Sequence, residues 1–151
     1  LVIVGFTISL HIAGMYAFSP IFGWLTDKLG KVQTVLIGQG IYVAALMVAG
    51  FGQHDRTLVT IGLFLLGLGW SASTVAGSAL LATSLPVDQK TNVQGLSDSL
   101  MNLSGAFGGA VAGSILTAFT FGGVNAAAFL PVTLIVIFAG VSRLRNKTAR
   151  A

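Results

Sequence analysis

The sequence predicts an all-α membrane protein whose helices cross a bilayer five times. Three observations carry this. Of 151 residues 54% are hydrophobic and only 8% are charged, whereas about a quarter of the residues of a soluble domain are charged. Mean hydropathy is +0.90. The apolar residues also fall into long unbroken runs separated by short polar breaks. In lipid such runs must satisfy their backbone polar groups internally, so they are helices rather than strands.

A helix needs roughly 20 mostly apolar residues to cross a hydrocarbon core of ~30 Å. Leu1–Leu25 is the first such stretch. It has no basic leading segment and no small-residue cleavage site, so it is not a signal peptide. It reads as the interior of a longer protein, and the chain is expected to be a fragment. Gln33–Gly52, Thr57–Leu85, Val93–Phe121 and Val124–Ser142 follow. The expected breaks are Thr26–Val32, Gln53–Arg56, Pro86–Asn92 and Gly122–Gly123. The third and fourth stretches exceed one crossing, which implies tilting or protrusion. Residues 1–142 thus form a transmembrane bundle, and 143–151 a basic tail.

Orientation comes from lysine and arginine. Five crossings put Lys28, Lys31, Lys90, Arg143, Arg145, Lys147 and Arg150 on one side and Arg56 alone on the other. By the positive-inside rule the crowded side is cytoplasmic, with the C-terminus there and the N-terminus outside. Placement in the cell membrane follows. The net charge of +4 does not point to nucleic acid, because the basic residues anchor loops instead of gathering in a groove. The tail is expected to lie against anionic headgroups of the bilayer.

Between helices in lipid, close packing relies on small residues. Gly105, Gly109 and Gly113 recur at four-residue spacing in the fourth stretch, and Gly62, Gly67, Gly69 and Gly77 mark the third. Both patterns predict tight helix contacts; helix bending is a second possible use. Polar residues concentrate in three stretches: Thr7, Ser9, His11 and Tyr16 in the first; Trp70, Ser71, Ser73, Thr74 and Ser78 in the third; Ser97, Asp98, Ser99, Asn102 and Ser104 in the fourth. The second is mostly apolar apart from Gln39 and Tyr42, and the fifth is nearly bare. Stretches one, three and four are therefore expected to line a polar cavity, with the fifth facing lipid.

The first loop reads Gly23-Trp24-Leu25-Thr26-Asp27-Lys28-Leu29-Gly30-Lys31. It resembles motif A of the major facilitator superfamily, G-x-x-x-D-x-x-G-R/K, with Gly23, Asp27, Gly30 and Lys31 matching. Val32 stands where a further basic residue is usual, which weakens the charge network. Asp27 sits at the C-terminal end of its span, against the helix dipole, and so calls for cations or a neighbouring helix N-terminus. Gly30 is suited to the left-handed conformation that ends a helix. The resemblance implies that this loop latches two halves of a transporter together. Leu66-Gly67-Leu68-Gly69-Trp70 and Val93–Asp98 look like the tenth and eleventh helices of bacterial drug-efflux-type members. Ser71 and Ser97 depart from the asparagines often found there. By this match the chain supplies helices eight to twelve, most of a C-terminal six-helix bundle, and the N-terminal half of the same transporter is its missing partner.

Asp98 is the one formally charged side chain inside a stretch. Intramembrane acids tend to mark ion pathways, but Asp98 lies near the positive end of its own helix, so a bracing role at a gate stays open beside proton coupling. His11, mid-span, is open both to carrying a proton and to bonding a neighbouring helix. Trp70, Ser71, Thr74 and Asn102 are candidates to line the cavity. They offer an aromatic face and neutral hydrogen bonds, which suits a hydrophobic or weakly polar small molecule.

Enzymatic readings fail for want of residues. Ser104-Gly105 follows Asn102-Leu103, not the glycine of an intramembrane serine protease, and no His-Glu-x-x-His or paired-aspartate motif occurs. With no cysteine, thiolate metal sites are excluded, and no cofactor is implied. The expectation is a secondary transporter moving a small molecule by alternating access, as proton-coupled efflux in antiport. The alternative is a membrane scaffold or subunit that transports nothing.

Overall fold

The protein is described by a computed structural model covering residues 2–148, with side chains for 2–119 and 121–141. Leu1 and the charged groups of the basic tail, Arg143, Arg145, Lys147 and Arg150, lie outside the described side chains. The described residues are mostly helical: α1 (Val2–Tyr16), α2 (Ser19–Leu29), α3 (Lys31–Phe51), α4 (Arg56–Ser84) and α5 (Val87–Thr148). Among the described residues five segments are long and apolar enough to cross a membrane: Val2–Leu29, Lys31–Phe51, Arg56–Ser84, Val87–Phe119 and Phe121–Val141. Large apolar side chains such as Phe51, Phe107, Phe119 and Phe138 lie on the outside. Water would penalise such a surface and lipid would not.

The first span is broken where a single helix was expected. Pro20 has no amide to offer the Tyr16 carbonyl, and its ring would crowd that carbonyl. The chain turns at Ala17–Phe18 and restarts with Ile21 and Phe22 both bonded to the Phe18 carbonyl.

The polar breaks are shorter than their composition suggests. Of Thr26–Val32 only Gly30 leaves the helix, at φ 101° and ψ 154°. That is not the left-handed helical cap expected but an extended region open essentially to glycine alone. Thr26 stays helical because its hydroxyl donates back to the Phe22 carbonyl at 2.7 Å. Between α3 and α4 the turn ends at Asp55, whose carboxylate accepts from the amides of Thr57 and Leu58. Pro86 ends the next break and α5 begins at Val87.

The expected turn at Gly122–Gly123 is absent: α5 runs through it for 62 residues, a length of about 93 Å at 1.5 Å per residue. Two glycines weaken a helix by roughly 1 kcal/mol each without forbidding it. This continuity overturns two further expectations. The C-terminal part of α5 seats on α3, burying Val132 and Ala139 and donating the Asn125 amide to the Leu46 carbonyl at 2.8 Å. The fifth stretch is therefore packed on one side instead of facing lipid all round. The fourth stretch, carried along the same axis, stands away from the bundle with none of its best apolar window buried.

The core lies between α3 and α4 and along the seam of α1 with α4. Ala45, Leu46, Ala72 and Ala76 are buried there with Thr34, Gln39 and Ser71. A Cβ on Gly38 would lie 2.5 Å from the Ser73 hydroxyl, and one on Gly14 2.8 Å from the Phe64 carbonyl. The helices meet backbone to backbone, as the third-stretch glycines Gly62, Gly67 and Gly69 predict. Gly77 and the fourth-stretch Gly105, Gly109 and Gly113 face open space.

Candidate functional site

A ladder of uncharged polar contacts runs down the α1–α4 seam. The Thr7 and Thr60 hydroxyls meet at 3.0 Å. His11 Nδ1 lies 2.7 Å from the Leu63 carbonyl. A carbonyl only accepts, so Nδ1 carries the proton and Nε2 is left as the exchangeable nitrogen. The glycines Gly14 and Gly67 make this approach possible, since side chains there would run into the backbone of the facing helix.

The seam ends in an aromatic and hydroxyl cluster at the break in the first span. Tyr16 and Trp70 meet edge to face, centroids 5.7 Å apart at 63°. Phe18 and Phe64 do the same at 5.7 Å and 76°. Ser19 and Ser71 lie 3.1 Å apart, and Ser19 also donates to the Met15 carbonyl at 3.2 Å, so the shared bond is Ser71 donating to Ser19. Ser71 is fully buried and Thr74 is half-buried on the same helix. The arrangement offers aromatic edges and neutral hydrogen bonds without a formal charge.

Asn102 does not join this cluster. It lies exposed on the fourth stretch and bonds the Asp98 carbonyl of its own helix at 2.8 Å. Asp98 is likewise exposed, accepting from Gln94 at 3.0 Å. With Lys90, Thr91 and Leu81 it lines a cleft of about 480 Å³ where α4 gives way to α5. His11 is tied to α4 and Asp98 to its own helix, so the two do not form a pair.

Of the motif loop, Gly23 faces open space and Asp27, Lys28 and Gly30 stand where α2 turns into α3. Asp27 is exposed, and among the described residues no ion pair forms. The loop thus presents its carboxylate outward. Sequence reasoning missed Ser19 and the break that aims it. The signal was present in Pro20, a residue that cannot sit quietly inside an apolar helix.

Residues 2–151 match the family model of the Major Facilitator Superfamily. The chain is 33% identical over 147 residues to the uncharacterized MFS-type transporter YddS of Bacillus subtilis, covering 95% of this chain and 34% of that protein. It is 33% identical over 138 residues to YdeG of the same organism, covering 87% and 32%. The riboflavin transporter RfnT of Brucella anthropi is 26% identical over 144 residues, covering 95% and 36%. The chain spans about a third of the length of these relatives. No solved structure matches.

Proposed function

This chain belongs to the major facilitator superfamily, and on that premise we propose that it supplies helices eight to twelve of a secondary transporter that exports an uncharged, largely aromatic small molecule in exchange for protons. Family membership supports transport and argues against an enzyme. The observation that carries the substrate class is the Tyr16–Trp70 pair beside Ser19 and Ser71, polar without being charged. RfnT, a relative, is named as a riboflavin transporter. His11, with one ring nitrogen fixed and the other exchangeable, is the candidate proton carrier in this reading, and Asp98 the brace or second proton site near the gate.

The basic ends of the spans lie in the cytoplasm of this proposal. Asp27, exposed at the α2–α3 turn, latches onto the N-terminal half, which the relatives' greater length allows for. Although α5 is continuous in the structure, in this proposal its two apolar stretches cross the bilayer separately with a bend at Gly122–Gly123, because a straight helix of that length is about three times the hydrocarbon thickness.

The test is export from inverted vesicles containing the full-length transporter, with riboflavin and neutral aromatic compounds as cargo and an imposed pH gradient. Wild type accumulates cargo only with the gradient, and Trp70→Ala lowers uptake at least tenfold. Gradient-independent movement refutes the coupling, and unimpaired uptake by Trp70→Ala refutes the substrate site.

A further inference from the structure

A crevice of about 310 Å³ opens between α3, α4 and the C-terminal part of α5, walled by Gln39, Tyr42, Leu46, Leu66, Pro131 and Val132. It shares no residue with the Tyr16–Trp70 cluster. A second hollow of about 220 Å³ continues it past Leu46 and Leu66 toward Asn125.

The polar groups of this crevice are not consumed by the fold. Gln39 is 1% exposed, deep in the α3–α4 interface. Its amide nitrogen donates to the Ser73 hydroxyl at 3.0 Å, while its Oε1 has no partner. Turning the amide over would pair the oxygen with Ser73 and strand the nitrogen, so one end is left over in either orientation. A stranded buried polar group destabilises the protein, and leucine would fill the same place without that cost. Tyr42 lies one turn away with its ring against Gly69, and its hydroxyl has no hydrogen bond among the described residues. Among the described residues no charged side chain lines the crevice.

We propose that this crevice is a binding site for a neutral, mostly apolar molecule carrying one hydroxyl, amide or N–H group, which bonds the free end of the Gln39 amide. Apolar walls fix its class, and a few neutral polar groups at one end fix its orientation, the usual composition of a small-molecule pocket. The volume sits at the low end of the roughly 300–1,000 Å³ typical of such pockets, so the ligand is small. A charged group would enter without a counter-charge and is rejected. The walls belong to spans facing acyl chains, and the ligand reaches the site from the membrane. None of this depends on what the protein transports.

The experiment measures binding, not transport. The protein in lipid nanodiscs is titrated with N-phenyl-1-naphthylamine, an uncharged fluorophore with one N–H, and the signal of empty nanodiscs is subtracted. Wild type gives a saturable increase. Gln39→Leu weakens it at least fivefold yet raises the thermal midpoint, because Ser73 can bond its own helix and no polar group is stranded. Val132→Phe, which fills the crevice, abolishes the saturable part with helicity unchanged. The proposal is overturned if the signal only partitions linearly, or if both variants still saturate as wild type does. It is also overturned if Gln39→Leu lowers the midpoint with binding intact, for then Gln39 is merely a strut to Ser73.

Discussion

The third and fourth apolar stretches carry similar glycine patterns and meet opposite fates. Along α4, Gly62, Gly67 and Gly69 are pressed against α1 and α3 so closely that a Cβ would strike their atoms. Along α5, Gly105, Gly109 and Gly113 face nothing within 4 Å. Small residues therefore state that a helix can pack closely, and they do not state against what. The partner is decided by neighbours: the short turn before α4 returns the chain onto α3, whereas α5 continues past its glycines and packs through its C-terminal part, where Asn125 bonds α3 and Val132 is buried.

That contrast can be broken by substitution. Gly67→Leu would drive a side chain into the His11 carbonyl, and overpacking of this kind costs about 1–3 kcal/mol or more. Unfolding of the chain in mixed micelles should show a loss in that range, with helicity reduced. Gly109→Leu, by contrast, should change unfolding by less than about 0.5 kcal/mol, as substitutions away from packed features do. Equal losses for the two would mean that the fourth stretch is packed after all. Next in size, Asp55→Ala removes the carboxylate that caps α4 and should cost about 1 kcal/mol. Smallest of the destabilising set is Ser71→Val. It breaks a single hydroxyl bond to Ser19, and interhelical bonds in membranes average about 0.6 kcal/mol. A loss well beyond that would assign Ser71 a structural weight the seam does not show.

Much of this architecture was legible in residue order. Charge scarcity and run length gave five apolar segments, and the glycines of the third stretch marked the tight interface. Gly23, Asp27, Gly30 and Lys31 marked the family. Loop extent was not legible, because a polar residue such as Thr26 can feed its hydroxyl to its own helix and remain within it. Nor was the packing of the fifth stretch, which turns on one long-range bond from Asn125 to Leu46. The candidate site was half visible. Trp70 and Ser71 stood out as polar residues on an apolar helix, but their partner Ser19 is brought to them by a proline break whose direction only three dimensions supply. The separation of Asn102 from that cluster follows from the course of α5, on which Gly122–Gly123 is silent in composition alone.

The central claim is that these apolar helices are threaded through a bilayer with their basic ends on one face. The chain has no cysteine, so single cysteines at 28, 53, 90 and 145, read against the unsubstituted protein, report their own side. Intact cells are treated with a membrane-impermeant maleimide before and after permeabilisation. The account predicts that Gln53→Cys is labelled in intact cells, while Lys28→Cys, Lys90→Cys and Arg145→Cys react only once the membrane is opened. Labelling of Lys90→Cys and Arg145→Cys from opposite faces would mean that α5 crosses as one rod, and it would contradict the five-span arrangement.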